Sequence, residues 1–381
     1  MNTSTDRILT THVGSLPRGA EVAKGLFAID AGETVDLEQH EAAVKREVGE
    51  VVQRQVDTGI DIVSDGENSK ISYATYIKDR ISGFDGDSDR EPPSDLEEFP
   101  GFLQRQSQSG GTPTYRRPCC VGDIQVKDMR PAQEDIANLL AANARHKPVQ
   151  SFMNAASPGV IALFQPNKHY ASHEEYLEAL AAAMAHEYRA IVDAGIVLQL
   201  DSPDLGLGRH MLFKGRSDAE YQAQAALHVD ALNHALEGIP KDMVRLHVCW
   251  GNYEGPHHHD APMEMVLPIA LRANVGALLF ESSNPRHAHE WEVFANTNLP
   301  DDLILVPGVI DSTTNFVEHP KLVSERLCRF ANIVGKERVM AGSDCGFSTF
   351  AGFGAVDQDI VYAKLQSMAD GAAIASKKLW R

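Results

Sequence analysis

The stretch "VRLHVCW", residues 244 to 250, is an apolar strand pattern that ends in side chains able to bind a ligand or to react. Side chains two positions apart in an extended strand point to the same side, so His247 and Cys249 would face one direction. On a helix the same two side chains would diverge by about 200°. Taken alone, the pair also fits a core histidine beside a buried cysteine. The rest of the chain has to decide between these interpretations.

The same pattern, a short apolar run followed by a stretch of helical period, recurs along the chain. Alternating strands and helices predict parallel βαβ units. No GxGxxG sequence opens any of the predicted helices, which argues against a Rossmann domain. The other runs that we interpret as strands are "IDIV" at 60–63, "IVLQLD" at 196–201, "ALLFE" at 277–281, "LILVPGV" at 303–309 and "RVMAGSDC" at 338–345.

Polar and reactive side chains follow the predicted strands, at the carboxyl end of each. A (β/α)8 barrel builds its site from the loops at these ends. We therefore predict an α/β fold, a (β/α)8 TIM barrel. The strand-end residues, in chain order, are His12, Ser15, Asp65, Glu67, Asp201, His247, Cys249, Glu281, Asp311, Asp344 and Cys345.

Residues 83 to 118 interrupt the alternation, because they are rich in glycine, proline, serine and acidic residues and show little periodicity. This composition fits a solvated insertion, and it also fits a lid over the mouth of the barrel. We expect residues 1–381 to form a single barrel domain that carries this irregular insertion.

The overall composition limits the partners and the compartment. The net charge of −18 disfavours nucleic acids and anionic membranes, because both would repel the protein. No apolar run reaches the roughly 20 residues of a membrane span, and the N-terminus lacks the apolar core of a signal peptide. Five cysteines are an odd and sparse set, which favours a reducing cytoplasm. The oligomeric state stays open, a homo-oligomer included.

Among the strand-end residues, four together supply the nitrogen, sulfur and oxygen ligands of a zinc site: His247, Cys249, Glu281 and Cys345. The strand ends of a barrel converge on one mouth, so the four side chains would meet there. One nitrogen, two sulfur and one oxygen ligand suit a tetrahedral zinc ion. Bound zinc favours the thiolate form of a thiol and so activates it as a nucleophile. The sequence therefore predicts a zinc site that serves a thiol substrate.

Several motifs together resemble a known family. They are "LTTHVGSLPR" at 9–18, "SDGE" at 64–67, "QLDSPDL" at 199–205, "HVC" at 247–249 and "GSDCG" at 342–346. In this order, and over nearly the whole chain, they resemble the catalytic half of cobalamin-independent methionine synthase. The chain looks most similar to the short, single-barrel branch of that family. This branch also contains epoxyalkane:coenzyme M transferases, whose sequences the run "NPRHAHEW" at 284–291 resembles.

The resemblance implies roles for individual residues. The zinc ligands of the family fall on the same four residues that the strand ends indicated. The family's contacts to the amino and carboxylate groups of homocysteine fall on Ser15, Glu67 and Asp201. Acidic side chains can pair with an ammonium, and a serine hydroxyl can donate to a carboxylate. Ser15 also fits a turn residue, and Glu67 a solvated loop acid. The candidates left for a catalytic role are His12 and Asp311.

Two positions depart from the family pattern. The full-length synthases have a histidine after the "GV-D" turn, thought to protonate the leaving folate, where this chain has Thr313. They also have a tryptophan expected to lie on the pterin, for which Phe164 is only a loose substitute. His319, the nearest histidine, precedes a proline at a helix start and is expected to be structural. The methyl or alkyl donor therefore stays open between a folate, a corrinoid and an epoxide.

The prediction is a zinc-dependent transfer of a methyl or alkyl group to a thiol, with homocysteine as the preferred thiol. Within the enzymes, the alternative is alkylation of another thiol, as in epoxyalkane:coenzyme M transferases. From another class, the alternative is a zinc-binding protein without turnover, since structural zinc sites also have four protein ligands. A metal-free decarboxylase on the same barrel is a third alternative. Residues 257–259, three consecutive histidines, are interpreted as a solvated loop in preference to a second metal site.

Overall fold

Eight strands, each parallel to its neighbours, form one sheet in the computed structural model, which describes residues 1–88, 92–108, 117–352 and 354–381. Two further strands form a separate antiparallel pair. In chain order the ten strands are β1 (Leu9–Thr10), β2 (Ile62–Val63), β3 (Phe84–Asp85), β4 (Cys119–Cys120), β5 (Gln150–Ala156), β6 (Val197–Asp201), β7 (Val244–Val248), β8 (Ala277–Phe280), β9 (Ile304–Ile310) and β10 (Met340–Ser343).

The sheet curls into a barrel that brings its two edge strands together. The order around the sheet is β1, β10, β9, β8, β7, β6, β5 and β2. At the closing edge the Asp61 N–H donates to the Thr10 carbonyl at 3.2 Å. The Thr11 hydroxyl donates to the Ile62 carbonyl at 3.0 Å. The predicted (β/α)8 barrel is therefore confirmed.

Helices surround the barrel and bury one face each. In the helix at Leu37–Asp57, for example, the Asp36 side chain accepts from the Gln39 N–H as an N-cap, and Val48 and Val52 are buried on one face. No helix of the described residues is long and apolar enough to cross a membrane. The helices are α1 (Ala20–Asp30), α2 (Leu37–Asp57), α3 (Ser94–Glu97), α4 (Pro100–Gln108), α5 (Arg130–His146), α6 (Pro158–Phe164), α7 (His173–Asp193), α8 (Asp218–Ala235), α9 (Met263–Ala270), α10 (Trp291–Asn296), α11 (Pro320–Val334) and α12 (Gln358–Leu379).

The core has two parts, which leave the mouth of the barrel polar. Most buried apolar side chains lie between the strands and the helices, and a second cluster, which includes Leu9, Phe152 and Leu279, fills the barrel interior. Arg245 is fully buried in this interior, where its guanidinium lies 3.6 Å from the centre of the Phe152 ring. Packed side chains fill the interior of the barrel. In a barrel of this kind the ligand site lies at the carboxyl ends of the strands.

The insertion at residues 83–118 is more regular than its composition suggested. Strands β3 and β4 pair as an antiparallel ribbon, and helices α3 and α4 lie between them in sequence. Strand β4 follows the insertion directly, so its pairing with β3 brings the two flanks of the segment together. Residues 89–91 and 109–116 of the insertion lie outside the described residues.

Gly308 in β9 tests how tightly the strand ends pack. A Cβ at this position would lie 2.1 Å from Asp344 Oδ1 and 2.6 Å from Asp344 Cα, and the latter is backbone that cannot move aside. We expect Gly308→Ala to lower the free energy of unfolding by about 2 kcal/mol or more. Gly49, in the middle of α2, has nothing within 4 Å of such a Cβ. Gly49→Ala should therefore stabilise by about 0.5–1 kcal/mol. Urea denaturation measures both, and an unchanged Gly308→Ala midpoint would contradict the packing described here.

Candidate active site

Three buried side chains at the ends of two strands form a close group. His247 lies in β7, Cys249 follows that strand directly, and Cys345 lies two residues beyond β10. One ligand atom from each of the three lies within 4.8 Å of the other two. The structure thus brings together three of the four residues that the sequence indicated as zinc ligands.

Glu281, the fourth predicted ligand, lies directly after β8, the neighbour of β7 in the sheet. Its Oε1 accepts a hydrogen bond from the Trp250 N–H at 2.9 Å, and its Oε2 accepts from Asn284 Nδ2 at 2.6 Å. A hydrogen bond with Cys249, burial and the charge of Glu281 together raise the pKa of the Cys345 thiol. Glu281 therefore acts electrostatically on the group, although its carboxylate is engaged by two protein donors.

The chemistry of this group fits a zinc ion. All five cysteines are unpaired, so both thiols of the group are free to bind a metal. An imidazole and two thiols, with a carboxylate on the next strand, are the ligand types that zinc prefers. A divalent cation at this point would reverse the effect of the surroundings on the thiols and favour the thiolates. The burial of the group also keeps competing water away from the sulfur atoms.

Asp344, beside Cys345, holds the loop that follows Glu281. Its Oδ1 accepts from the N–H groups of Ser282 and Ser283 at 2.9 and 2.8 Å, and its Oδ2 accepts from the Asn284 N–H at 2.8 Å. Asn284 in turn donates to Glu281. One carboxylate thus orders both strand ends, as partners of metal ligands commonly do. In the sequence Asp344 stood out only as a polar strand-end residue.

Asp201, which the resemblance predicted to contact the substrate, contacts His247 of the group formed by His247, Cys249 and Cys345. Its Oδ1 lies 3.2 Å from His247 Nδ1, and its Oδ2 accepts from Asn154 Nδ2 at 2.8 Å. A carboxylate in this position orients an imidazole so that its other nitrogen can bind a metal. Replacing Asp201 would therefore disturb His247 as well as any substrate contact.

Glu67, the second predicted substrate contact, is strained and lacks a partner. Its backbone φ is 57°, in the left-handed region that residues other than glycine rarely adopt. The side chain is 2% exposed, and among the described residues Oε2 has no hydrogen-bond partner. Burial raises the pKa of the Glu67 carboxyl to about 7; the Lys70 ammonium opposes this shift and the Asp201 carboxylate adds to it. Backbone strain and unpaired buried acids are frequent at functional sites.

Ser15 and Arg18 join the loops around Glu67. A Cβ on Gly346 would overlap the Ser15 hydroxyl, so Ser15 packs directly against the residue after Cys345. Arg18 donates from Nε to the Glu67 carbonyl at 3.1 Å and from Nη1 to the Ser348 carbonyl at 2.6 Å. Its Nη2 is buried without a partner among the described residues. Arg18 lies within the motif at residues 9–18, but no pattern in the sequence indicated it as a site residue.

His12 and Asp311, the two candidates for a catalytic role, are both engaged in local structure. His12 is fully buried; its Nε2 lies 2.6 Å from Gln55 Oε1, and its Nδ1 accepts from the Gly14 N–H at 3.1 Å. Burial lowers the pKa of His12 to about 4. Asp311 Oδ1 accepts from the N–H groups of Thr313 and Thr314 at 2.7 and 2.8 Å. In these positions both residues shape loops.

The two positions that departed from the family pattern do not offer a substitute for the missing groups. The Thr313 N–H belongs to the turn around Asp311. Phe164 ends α6, with its ring 6.2 Å from the Tyr73 ring in an edge-to-face contact. His319 caps α11, as predicted, and its Nδ1 accepts from the Lys321 N–H at 3.1 Å.

A network of histidines and acidic residues lies beside the group formed by His247, Cys249 and Cys345. Asp260 Oδ2 lies 2.9 Å from His257 Nδ1 and 3.0 Å from His287 Nε2, and Glu290 Oε2 lies 2.7 Å from His287 Nδ1. The interpretation of residues 257–259 as a solvated loop was therefore wrong for the first of them, whose ring belongs to this network. Sequence gave no sign of it, because the partners come from different loops.

The other two histidines of that run are exposed, as predicted. His258 and His259 both hydrogen-bond the carboxylate of Glu98, in the insertion. Ligand atoms of these three exposed residues also lie within 4.8 Å of one another. The group ties the insertion to the loop after β7.

Comparison with known sequences places this geometry among related proteins. A family model described as the catalytic domain of cobalamin-independent synthase matches residues 8–373. The methionine synthase of Saccharolobus solfataricus is 24% identical to this chain over 376 residues, which are 98% of this chain and 96% of that protein. The uncharacterized protein YxjH of Bacillus subtilis is 26% identical over 383 residues, 97% of this chain and 94% of that protein.

Comparison with solved structures supports the fold. A B12-independent methionine synthase from Shewanella sp. W3-18-1, solved in complex with selenomethionine, has a TM-score of 0.73 at 19% sequence identity, and the match covers 98% of this chain and 99% of that one. A putative vitamin-B12-independent methionine synthase from Listeria monocytogenes has a TM-score of 0.65 at 18% identity, with 98% and 99% of the two chains covered. Both share the barrel of this chain over its whole length.

Proposed function

The chain belongs to the family of the cobalamin-independent synthase catalytic domain, and from this membership we propose that it transfers a methyl group to the sulfur of homocysteine. The family is one of transferases, so the chain is an enzyme of that class. One observation carries the proposal: a buried group of one imidazole and two thiols shares the barrel mouth with the unpartnered carboxylate of Glu67. The first can bind a sulfur-activating metal, and the second can bind the amino group of the substrate.

The proposed metal is zinc, held by His247, Cys249, Cys345 and Glu281. When bound, zinc lowers the pKa of a thiol enough for the sulfur to be a thiolate near neutral pH. Asp201 orients His247, and Asp344 holds the loop after Glu281, so the protein presents the ligands in a fixed arrangement. Burial of the group excludes water that would otherwise compete for the methyl group.

Glu67 and Asp201 are proposed to bind the ammonium of homocysteine. Among the described residues Glu67 Oε2 is buried without a partner; burial raises the pKa of the Glu67 carboxyl, and repulsion from the Asp201 carboxylate adds to this shift. An ammonium between them would remove this repulsion and supply the missing hydrogen bond. The hydroxyl of Ser15 and the free Nη2 of Arg18 are proposed donors for the substrate carboxylate. The protein would thus recognise both ends of an amino acid.

The same acids weigh against the alternatives. A sulfonate thiol such as coenzyme M has no ammonium and would be repelled by Glu67 and Asp201. A zinc-binding protein without turnover has no use for a strained and unpartnered acid beside its metal. The methyl donor is proposed only as a class, a folate or a corrinoid, with an epoxide for the alternative activity. Thr313 and Phe164 do not favour the folate.

The metal assignment predicts about one zinc ion per chain in protein purified without a chelator. Cys249→Ser and Cys345→Ser should each lose most of it, because each removes a sulfur ligand. Cys328→Ser is the matched control, since Cys328 lies in α11, away from the group, and this variant should keep its zinc. Elemental analysis of the four proteins measures the content. Wild-type protein without zinc would contradict the assignment.

The amino-acid assignment predicts that Glu67→Gln discriminates between thiols. Loss of a charged hydrogen-bond partner costs about 1.5–3 kcal/mol, so the KM for homocysteine should rise about tenfold to a hundredfold. For 4-mercaptobutanoate, which has the same length and no amino group, the KM should change little. Glu67 serves this test better than Asp201, which also contacts His247.

Steady-state thiol consumption by wild type and by Glu67→Gln gives both KM values. Equal losses for the two thiols would mean that Glu67 does not contact the ammonium. Improved use of coenzyme M by the variant, together with no use of homocysteine by wild type, would favour the alternative activity.

A further inference from the structure

One acidic residue of the insertion is buried against the barrel. Asp95 in α3 has no exposed surface. Its carboxylate accepts from the Tyr253 hydroxyl at 2.9 Å and from the His257 N–H at 2.9 Å. His210, in the loop after β6, has Nδ1 3.8 Å from Asp95 Oδ1 and Nε2 3.3 Å from Asp260 Oδ1. A buried carboxylate is costly unless donors of this kind surround it, so the docked position of α3 and the position of these donors depend on each other.

The loop that Asp95 holds, residues 250–260, has a strained conformation. His257 has a backbone φ of 52°, in the left-handed region. Its ring stacks on the Tyr253 ring at 4.3 Å between centres, and its Nε2 lies 2.9 Å from the Tyr253 carbonyl. Strain of this kind persists only where the surroundings hold it in place. Asp95 is a charged group from outside the loop that accepts hydrogen bonds from both of these stacked residues.

The same loop contacts Glu281 and the residue after Cys345, next to the group formed by His247, Cys249 and Cys345. Trp250 begins the loop and donates its backbone N–H to Glu281. Asn252 donates from Nδ2 to the carbonyl of Gly346, the residue after Cys345, at 2.6 Å. A displacement of the loop would therefore change the positions of Glu281 and of the segment that carries Cys345.

The Trp250 end of the loop is also fixed through Asp260. The Trp250 ring stacks on the His287 ring at 4.2 Å, and its indole N–H donates to the Ala261 carbonyl at 2.7 Å. His287 Nε2 lies 3.0 Å from Asp260 Oδ2, and His257 Nδ1 lies 2.9 Å from the same oxygen. Asp260 thus contacts His257 directly and is connected to Trp250 through His287, so this series of contacts joins the two parts of the loop.

We propose that Asp95 is a positioning residue of the active site: through Tyr253 and His257 it fixes the loop at 250–260, and through Trp250 and Asn252 this loop fixes Glu281 and the segment after Cys345. The inference rests on the proposed function, since that function makes these residues the thiol site. It also makes α3, the short helix that carries Asp95, a part of the active site.

Two further contacts hold α3 in place. Beside Asp95, the Ser94 hydroxyl donates to the His210 carbonyl at 3.0 Å, and the Leu96 side chain is buried.

The test compares Asp95→Asn with Glu97→Gln in zinc-containing protein. Asp95→Asn keeps the size of the side chain and removes the charge that binds the two donors from the loop. Glu97, on the same short helix, is exposed and pairs with Lys214 on the surface. Hydrogen–deuterium exchange of residues 250–260 and 281–284 should be about tenfold faster in Asp95→Asn and unchanged in Glu97→Gln. Exchange in α12 should be the same in all proteins, which separates a local effect from a general loss of stability.

Kinetics with homocysteine provide the second readout. Asp95→Asn should lower kcat/KM by about tenfold, while Glu97→Gln should keep it. Tyr253→Phe removes one of the two donors and should have a smaller effect in the same direction, without adding to that of Asp95→Asn in the double variant. If Asp95→Asn does not fold, the exchange of Tyr253→Phe tests the same coupling.

Exchange at 250–260 and 281–284 that is equal in all variants would overturn the inference. Faster exchange in Asp95→Asn, in a protein whose wild type does not use homocysteine, would support the coupling and refute the proposed function. The two ideas can therefore fail separately.

Discussion

Burial of charged side chains at the mouth of the barrel is the constraint on which the rest of the structure depends. Each buried acid requires donors, and in most cases the protein supplies them. Asp344 receives three backbone N–H groups, Asp201 contacts His247 and Asn154, and Asp95 is bound by Tyr253 and His257. These pairings fix the loops at the ends of four strands relative to one another.

The groups without a protein partner then define where a ligand belongs. Glu67 Oε2 and Arg18 Nη2 are buried and unpaired among the described residues. The thiols of Cys249 and Cys345 lie together beside His247, and the hydrogen bond with Cys249 and burial raise the pKa of the Cys345 thiol. An acceptor, a donor and a soft metal site are what a thiol amino acid requires. In the proposed mechanism Asp344 builds the site, Glu67 and Arg18 meet the substrate with their unpaired groups, and Asp201 does both.

The fold and the metal group were predictable from sequence because both follow from local periodicity. Short apolar runs that alternate with helices indicated the barrel, and polar residues after each run indicated the mouth. Parallel strands bring their carboxyl ends together, so His247, Cys249 and Cys345 could be expected to meet before their positions were known. Zinc binding itself, and the contacts of Ser15, Glu67 and Asp201 with a substrate, stay predictions.

What sequence could not indicate depends on pairings between distant segments. The composition of residues 83–118 suggested a solvated segment, and one buried acid among many exposed ones has no local pattern. Arg18 was missed for the same reason, since its partners lie in other loops. The half-buried ring of His257 was missed because the network around its partner Asp260 includes His287 from another loop. The double role of Asp201 is a further case. Its side chain follows β6, but its contact with His247 depends on the register of β6 with β7.

X-ray absorption at the zinc edge, recorded with and without homocysteine, shows directly whether the thiol of the substrate binds the zinc ion. We expect two sulfur ligands, from Cys249 and Cys345, in the protein alone, and one additional sulfur ligand when homocysteine is added. An unchanged sulfur count in a protein that methylates homocysteine would contradict this expectation, because the thiol would then be activated elsewhere.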